Sequence, residues 1–389
     1  MAESTSTSDY TIPKICPAIF LTGSSNVNRL VVQERTVPDL PTDKIMVEIK
    51  ACGLNFKEMM ERMGIPGTAS NKSKPPYVMG FEGSGIIVQI GSEVKSEHIK
   101  IGNRVCVVGS EVWSKYTILD PKFCFPIPDN MTFEEAAAFP VVYLTAYMML
   151  FQQANLQPGM SVLIHMVAGG VGTAAVQLCR SVSDVTIFGT CSAAKHERMK
   201  EMGVDHLIDY RTQDYAQEIK RISPRGVDII LEPLGGPDFK KSYDLLDQLG
   251  HIISFGFANA VTGDKMSYFT MAKNWLQWKN VNSMAMMQEN RTVSGYHLLY
   301  VSLSRMDKVM CALKQLNLLY KDGKIKPLID SVHGFSQIGT AVARMNSRQN
   351  IGKIVIVPEE TTTGGNDEGT SDVSKWKNPE EDTPTKSRI

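Results

Sequence analysis

Hydrophobic residues in the first third of the chain fall in short runs that Gly, Pro and Asp turns separate. LVVQER, IMVEIKACG, GSGIIVQIG and RVCVVG are such runs, and their length and spacing are typical of β-strands. Few stretches before Pro128 have the spacing of a helix. We therefore predict a partly closed β domain in this part of the chain.

The pattern changes near Thr132. The segment TFEEAAAFP begins with a Thr followed three positions later by Glu135, a capping box that leads into an Ala-rich helix. From Ser161 onward strands and helices alternate, in the order SVLIH, TAAVQLCRSV, VTIFGT, AAKHERMKEMG, HLIDY, YAQEIKRI, VDIILEP, FKKSYDLLDQLG and HIISFG. This alternation predicts a doubly wound parallel sheet covered by helices on both faces, so we expect the capped helix to begin a second, Rossmann-type domain.

Three later segments complete the outline. TVSGYHLLYV is compatible with another strand, MDKVMCALKQLNLLYKDG with a long amphipathic helix, and NIGKIVIV with a final strand. We predict an α/β protein with a β domain over residues 14–140, completed by about 322–358, and a Rossmann domain over residues 141–321. The Ser- and Thr-rich residues 1–13 and the charged tail 361–389 lack aliphatic core formers, and we predict that both are disordered.

Composition narrows the function. The 389 residues are 43% hydrophobic and 21% charged, as in soluble globular proteins. Because 41 basic residues balance 41 acidic ones, no global field recruits nucleic acid. The seven scattered cysteines fit neither a disulfide framework nor a zinc knuckle. With no secretory signal and no long apolar run, we expect a cytoplasmic protein whose membrane contact, if any, is peripheral.

A glycine-rich turn follows the first strand of the alternating region. Gly169 and Gly172 occupy the second and third glycine positions of the dinucleotide fingerprint, with Gly170 and Val171 between them, while Val167 stands where the first glycine usually lies. Such glycines let a pyrophosphate approach the backbone at the positive end of a helix. We therefore predict dinucleotide binding, with a glycine pair that serves only packing as the alternative.

The end of the next strand favours NADPH over NADH. NAD-binding domains carry an acidic residue there for the ribose hydroxyls, but this chain has no carboxylate before Glu197. Ser192 and Lys195 instead suit the 2′-phosphate of NADPH, because a hydroxyl and an ammonium can both bond it. The alternative is that Lys195 is an ordinary solvated lysine at the start of a helix.

Taken together, these segments resemble a known family. GLNFKE, PYVMGFEGSG, MTFEEAAAF, LTAYMMLF, NLQPG, SVLIHMVAGGVGTAAVQLCR, ISPRGVDII, IKPLIDSV and NIGKIVIV are similar to the medium-chain dehydrogenase/reductase superfamily. Within it they resemble the zinc-free quinone oxidoreductases, and above all the vesicle amine transport protein branch. The resemblance covers roughly residues 18–358 and implies a GroES-like β domain joined to a Rossmann domain, with the active site in the cleft between them.

The resemblance also bears on metal binding. Zinc-dependent members of the superfamily place a Cys and a His where this chain has Asn55 and Phe81. An amide and a phenyl ring cannot replace a thiolate and an imidazole as zinc ligands. We therefore predict no metal, and we expect the nearby Cys52 to be a small buried core residue.

The resemblance further implies roles for individual residues. Asn55 and Thr145 match positions beside the nicotinamide, and Glu58 replaces the Asp that usually follows the Asn by three residues. Phe255 and Gly256 match a loop beneath the cofactor. The positions that surround the 2′-phosphate in NADPH-dependent relatives are matched by Ser192, Lys195, Tyr210 and Arg348. His165, beside the glycine turn, could contact substrate, although a hydrogen-bonded core histidine is the commoner case.

Two functions remain in competition. The first is NADPH-dependent hydride transfer to a small-molecule substrate, either a quinone or another α,β-unsaturated carbonyl. The second is a vesicle-associated, lipid-handling protein whose cofactor site is vestigial or regulatory. Residues 266–287 are rich in Met and Trp, which suits a lipid surface and equally suits a dimer interface or a pocket wall. The resemblance implies a homodimer that pairs edge strands near residues 292–298.

Overall fold

The computed structural model describes residues 10–23, 29–65, 74–96, 99–262, 265–266 and 283–359. The predictions of disorder for residues 1–9 and 361–389 lie outside the described residues, and so does most of the Met- and Trp-rich segment, including Trp275 and Trp278. Residues up to Pro358 form one compact unit.

The strands, numbered in chain order, are β1 (Ile15–Leu21), β2 (Leu30–Thr36), β3 (Ile45–Leu54), β4 (Tyr77–Val78), β5 (Glu82–Ile90), β6 (Arg104–Val108), β7 (Tyr116–Leu119), β8 (Cys124–Pro126), β9 (Ser161–His165), β10 (Thr186–Cys191), β11 (His206–Asp209), β12 (Val227–Glu232), β13 (Leu246–Ser254), β14 (Val261–Thr262), β15 (Lys265–Met266), β16 (Thr292–Gly295), β17 (Ile329–Gly334) and β18 (Lys353–Val357).

The α-helices are α1 (Phe56–Arg62), α2 (Phe133–Ala137), α3 (Pro140–Tyr147), α4 (Gly170–Arg180), α5 (His196–Glu201), α6 (Tyr215–Ile222), α7 (Pro237–Tyr243), α8 (Ser283–Glu289), α9 (Leu298–Ser304), α10 (Met306–Lys321) and α11 (Ile338–Asn346). A π-helical turn, Met148–Gln153, continues α3. Over the part of the chain that the structure describes, no helix is long and apolar enough to span a bilayer.

Two sheets form the β domain. The larger has the order β17-β18-β3-β5-β6-β8, with β7 also paired to β3, and the smaller has the order β2-β1-β4. The last strand, β18, lies antiparallel to β3 with Ile356 opposite Cys52, so the end of the chain completes a sheet begun about 300 residues earlier. Because four of its five residues are buried, the apolar run KIVIV is held in the interior of this sheet.

The Rossmann domain contains a sheet of parallel strands in the order β11-β10-β9-β12-β13-β16. Numbered from β9, this is the 3-2-1-4-5-6 order of dinucleotide-binding domains. The order reverses between β9 and β12, whose central residues are fully buried. In such sheets, the crevice outside the carboxyl ends of the strands at this reversal is where ligands bind. The fold class predicted from the sequence is confirmed.

Two elements are shorter in the structure than the sequence predicted. Only Thr292–Gly295 of TVSGYHLLYV is strand, and helix α9 begins at Leu298 because Leu298 and Ser302, four positions apart, are buried on one face. The predicted helix FKKSYDLLDQLG ends at Tyr243. Leu246 instead pairs with Val227, so the sheet takes the residues that follow.

The predicted capping box is present, but its helix packs elsewhere than expected. Thr132 Oγ1 accepts the backbone N–H of Glu135 at 3.1 Å, and the Glu135 carboxylate accepts that of Thr132 at the same distance. Helix α2 then packs on strands β3, β5 and β6. It therefore covers the larger sheet of the β domain, and the helix that follows, α3, is the one that packs against α4.

Candidate functional site

A cavity of about 840 Å³ lies at the carboxyl ends of the parallel strands. Its walls come from both domains, with Asn55 and Phe81 on the β-domain side and His165, Thr190 and Phe255 on the Rossmann side. Ligand sites in proteins usually have volumes of about 300 to 1,000 Å³. The cavity is therefore large enough for an extended cofactor with a small substrate beside it.

The glycine turn forms one wall of this cavity. Gly169, Gly170 and Val171 line it, and helix α4 begins at Gly170. Gly172 is not among the lining residues. A Cβ at Gly172 would lie 2.4 Å from the carbonyl oxygen of Val167, so this glycine lets the helix pack closely on the strand before it. The first residues of helix α4 thus lie on the cavity wall, an arrangement that fits a pyrophosphate.

The departure from the glycine fingerprint at Val167 has a structural explanation. Val167 is fully buried, and its backbone N–H donates to the carbonyl of Thr190 at 3.1 Å. A Cβ at Gly189, on the neighbouring strand β10, would come within 2.8 Å of the Val167 side chain. The missing glycine before the turn is therefore compensated by a glycine on the adjacent strand, which leaves room for valine.

Lys195 connects the two domains. Its ammonium group donates to the backbone carbonyls of Arg348 at 2.8 Å and Asn350 at 2.6 Å, and burial lowers its pKa. The same loop is tied to the glycine turn, because Gly352 N–H donates to the carbonyl of Ala168 at 2.8 Å. Two of the three ammonium donors of Lys195 are thus engaged with the loop, a structural role that the sequence did not reveal.

The other residues predicted around a 2′-phosphate line the same cavity. These are Ser192, Tyr210 and Arg348. Tyr210 is 42% exposed, and Arg348 is exposed with a left-handed backbone φ of 53°. The structure therefore gathers all four predicted residues along one wall, with hydroxyl and cationic groups that suit an anion.

A buried ion pair that sequence reasoning missed lies beside the glycine turn and contacts Asn55 on the cavity wall. The Lys353 ammonium bonds Glu82 Oε1 and donates to Asn55 Oδ1 at 2.5 Å, and the side chains of Lys353 and Glu82 are 4% and 0% exposed. Glu82 Oε2 also accepts the backbone N–H of Val141 at 2.9 Å. The sequence contained an indication of this ion pair, because a lysine that is buried with the apolar run IVIV requires a buried partner.

Asn55 has separate contacts through its backbone and its side chain. Its backbone N–H donates to Glu58 Oε2 at 2.9 Å, which closes a capping box at the start of helix α1. Burial raises the pKa of Glu58 to about 7, and Glu58 is not among the residues that line the cavity. The buried side-chain nitrogen of Asn55 has no hydrogen-bond partner among the described residues, although Asn55 lines the cavity.

Three further residues of the predicted site also line the cavity. Thr145, on helix α3, is 7% exposed and lines the cavity, as do Phe255 and Gly256 after strand β13. Tyr296, which the sequence did not single out, also lines the cavity, and burial raises its pKa. Within the described part of the chain its hydroxyl has no hydrogen-bond partner. Asn55 and Tyr296 therefore offer polar atoms that a bound ligand would satisfy.

His165 is a hydrogen-bonded core residue. Its Nδ1 lies 3.1 Å from Thr190 Oγ1 and its Nε2 lies 2.9 Å from Ser242 Oγ. The side chain is 2% exposed, and burial lowers its pKa to about 4. With both ring nitrogens engaged and the ring neutral near pH 7, the geometry favours the structural role over a contact with substrate.

Residues with metal-ligand chemistry are scattered. The described residues contain no group of three or more His, Cys, Asp or Glu side chains placed to hold a metal ion. Cys52 is fully buried, its thiol donates to the carbonyl of Val112 at 3.3 Å, and burial raises its pKa well above the ordinary value. The Lys57 ammonium lies over the Phe81 ring, 5.0 Å from the ring centroid. The expectation of a zinc-free site stays a prediction.

Two known protein families match different parts of the chain. A family described as alcohol dehydrogenase GroES-like domain matches residues 41–129. A second family, described as zinc-binding dehydrogenase, matches residues 202–356. The fold and the site therefore define a dehydrogenase/reductase of the type that combines a GroES-like domain with a Rossmann domain.

Individual relatives refine this classification. The chain is 45% identical over 346 residues to the synaptic vesicle membrane protein VAT-1 homolog of Danio rerio, covering 88% of this chain and 70% of that protein. The crystal structure of the human VAT-1 homolog-like protein is 37% identical, with a TM-score of 0.77, and the match covers 90% of this chain and all of that one. The chain belongs to the medium-chain dehydrogenase/reductase family, to its quinone oxidoreductase-like branch with the VAT-1 homologs.

A third comparison concerns the cofactor. The Escherichia coli quinone oxidoreductase in complex with NADPH is 25% identical, with a TM-score of 0.75, and the match covers 88% of this chain and all of that one. The family to which the chain belongs binds NAD(P), as the sequence predicted at that level, while the role of the glycine turn stays a prediction. The preference for NADPH over NADH stays a prediction.

Proposed function

We propose that this protein is an NADPH-dependent, zinc-independent oxidoreductase that reduces a quinone or another α,β-unsaturated carbonyl. The observation that carries the proposal is that a single cavity is lined both by the glycine turn and by Asn55 and Thr145. A dinucleotide that lies along the turn needs such a neighbouring compartment for its substrate. When bound, the reduced nicotinamide supplies the hydride.

The protein's own residues have three tasks in this reaction. Gly169, Gly170 and Val171 present the backbone to the phosphates. Ser192, Tyr210 and Arg348, together with the remaining donor of Lys195, surround the 2′-phosphate. Apolar side chains at the other end, including Met60, Phe81 and Leu298, exclude water from the reacting groups. Hydride transfer to a quinone or enone leaves a phenolate or enolate, which takes its proton from solvent as the product leaves the cavity, so no dedicated acid is required.

Cofactor choice and turnover can be tested together. Binding of NADPH and NADH is measured by fluorescence titration, and oxidation of each is followed with a panel of quinones, for wild type and Lys195→Ala. We expect the variant to lose about tenfold in affinity for NADPH relative to NADH, since the lost charge-assisted bond contributes about 1.5 kcal/mol, whereas the lost bonds to the loop affect both cofactors alike.

Lys200→Ala is the matched control. Lys200 is exposed on helix α5, which begins directly after Lys195, and does not line the cavity, so this variant should behave as wild type. Equal affinity of wild type for NADPH and NADH would contradict the cofactor preference. Cofactor binding without oxidation by any acceptor would contradict the proposed reaction.

A specific observation favours a second candidate function, peripheral attachment to vesicle membranes or lipid. Met284 and Met287 on helix α8 are 60% and 69% exposed, and they belong to the Met- and Trp-rich segment. Exposed methionines suit an adaptable apolar partner, and relatives carry the name synaptic vesicle membrane protein. Flotation with phosphatidylcholine and phosphatidylserine liposomes should then weaken when both are replaced by Ser.

We also propose a homodimer formed through strand β16. In the described part of the chain β16 ends its sheet and pairs only with β13, so its other edge, apart from the Gly295 carbonyl that accepts Gln153 Nε2, is available to a second copy. Sedimentation at micromolar concentration should show a dimer. Val293→Pro removes one backbone donor from that strand and should shift the population toward monomer.

A further inference from the structure

We infer that the buried Lys353–Glu82 pair fixes the direction of the Asn55 amide, so that its nitrogen donates a hydrogen bond to a carbonyl oxygen bound in the cavity. This inference rests on the proposed function and assigns positioning roles to two residues that the family resemblance did not bring forward. The carbonyl belongs either to the electron acceptor or to the carboxamide of the nicotinamide. The experiment below separates these two sources.

The direction of the amide follows from donor chemistry. An ammonium group has only donors, so the Asn55 atom that faces Lys353 at 2.5 Å must be the oxygen. The amide nitrogen then points away from Lys353. It is buried and has no partner among the described residues, while Asn55 itself lines the cavity. A buried donor without a partner is unfavourable, and a ligand oxygen would satisfy it.

Glu82 holds Lys353 in place. One carboxylate oxygen bonds the ammonium, and the other accepts the Val141 N–H at 2.9 Å in the first turn of helix α3. The positive helix end favours this negative charge. A Cβ at Gly53 would lie 2.5 Å from Glu82 Oε1, so the glycine leaves the space that the carboxylate occupies. The same helix carries Thr145, so the pair also links Asn55 to the helix that forms the cavity wall.

The path of the lysine side chain connects this arrangement to the glycine turn. A Cβ at Gly170 would lie 3.7 Å from Cδ of Lys353, so the aliphatic part of the lysine runs along the turn. Its ammonium then reaches Asn55, which lies 298 positions earlier in the chain. The amide is therefore oriented by a contact that forms only when the last strand of the β domain is in place.

The most informative variant is Asn55→Asp. Aspartate is as good an N-cap for helix α1 as asparagine and keeps an oxygen toward Lys353. It has no side-chain nitrogen that could donate a hydrogen bond. Activity is measured with NADPH and 1,4-naphthoquinone, and NADPH binding by fluorescence titration. We expect kcat to fall about 100-fold, as when one preorganised donor to a carbonyl oxygen is removed.

The two carbonyl sources give different binding results. If the amide bonds the acceptor, the NADPH dissociation constant changes less than about threefold, whereas a loss of about tenfold assigns the bond to the nicotinamide carboxamide. Either result supports the inference. Unchanged kcat and unchanged NADPH affinity in Asn55→Asp would overturn it.

The positioning role is tested with Lys353→Met combined with Glu82→Gln, which replaces the buried pair by neutral groups of similar size and so avoids an unpaired buried charge. This double variant should lose about tenfold or more in kcat at unchanged thermal stability, because the amide is free to turn. A folded double variant with wild-type kcat would show that the ion pair does not orient Asn55.

Failure of the proposed function is distinguishable from failure of this inference. If wild type fails to oxidise NADPH with every acceptor in the panel, the proposed reaction is wrong. The side-chain amide resonance of Asn55, assigned by its loss in Asn55→Asp, then gives an independent readout. A shift of this resonance on addition of NADP⁺ or 1,4-naphthoquinone supports the hydrogen bond into the cavity, and no shift with either compound overturns it.

Discussion

The two ends of the cavity are built in different ways. The wall that fits the phosphates consists mainly of one short segment, residues 169–171, at the start of helix α4. The part that fits the reacting groups includes the side chains of Asn55 and Lys353, which Glu82 holds from behind the wall, and these three residues come together from separate parts of the chain. Phosphate binding therefore depends on local geometry, whereas the chemistry depends on the assembled β domain.

This difference predicts that the two ends can be damaged separately. Backbone sites fail when a side chain is added where none fits, and side-chain sites fail when the groups that support them move. Two glycines, one at each end, allow the same substitution to be compared in both places. The four predictions below run from the largest expected effect to the smallest.

Gly172→Ala should have the largest effect, on cofactor binding. The new Cβ would lie 2.4 Å from the Val167 carbonyl oxygen, so strand β9 and helix α4 must separate and the turn must change shape. We expect NADPH affinity to fall about 100-fold, since such overpacking costs about 3 kcal/mol. Isothermal titration measures this loss. Affinity within about threefold of wild type would show that the turn tolerates the shift.

Gly53→Ala applies the same change at the other end. Its Cβ would meet Glu82 Oε1 at 2.5 Å and the Ala137 carbonyl at 2.6 Å, displacing the carboxylate that holds Lys353. We expect kcat to fall about 30-fold, or about 2 kcal/mol, with little change in NADPH affinity. If NADPH affinity and kcat fell together in this variant, the two ends would not be separable.

Acid should weaken the Rossmann core through His165. Its pKa is lowered to about 4 in the folded protein, against about 6.5 in an unfolded chain. The unfolded state therefore binds more protons between these values, and the stability present above pH 6.5 is lost as the pH falls toward 4. From pH 7 to pH 5 the loss from this group is about 2 kcal/mol.

Urea unfolding of wild type and His165→Gln at both pH values isolates this contribution. Glu58 and Glu232 have pKa values raised to about 7, and their contributions are largest at low pH and are lost as the pH rises, but they are present in both proteins. The pH dependence of the difference between the two proteins therefore reports His165. Parallel curves would contradict a neutral, buried imidazole.

Gly339→Ala should have the smallest effect and serves as the matched control for both glycine substitutions. No atom lies within 4 Å of the position that its Cβ would occupy, and it lies inside helix α11. We expect a gain of about 0.5 kcal/mol in unfolding free energy from the higher helix propensity of Ala. NADPH affinity and kcat should remain those of wild type. A loss of either would mean that Gly→Ala changes act nonspecifically.

Local features of the site were predictable from the sequence because their physics is local. The capping box of Thr132 and Glu135, the turn around Gly169 and the alternation of strands and helices each depend on residues close together in the chain. The identification of Asn55 and Thr145 depended instead on family resemblance. Their position on the cavity wall is a property of the folded protein.

Sequence reasoning missed contacts between distant parts of the chain. The role of Lys195 as a phosphate ligand stays a prediction, but its bonds to the Arg348 and Asn350 carbonyls, which cross from one domain to the other, were not foreseen. The strand predicted over TVSGYHLLYV ends after four residues and a helix begins at Leu298, because burial of Leu298 and Ser302 on one helical face outweighs β propensity. Neither outcome can be derived from residues near these positions.

The sequence by itself determined the order of elements, the parallel sheet with its glycine turn and the absence of a local acid at the ribose position, because hydrophobic periodicity and glycine conformations act over a few residues. Only the tertiary structure decided that Lys353 reaches Asn55 and Glu82, and with it the direction of the Asn55 amide. A buried charge must find its partner wherever the fold places one, and here that partner lies 271 positions away in the chain.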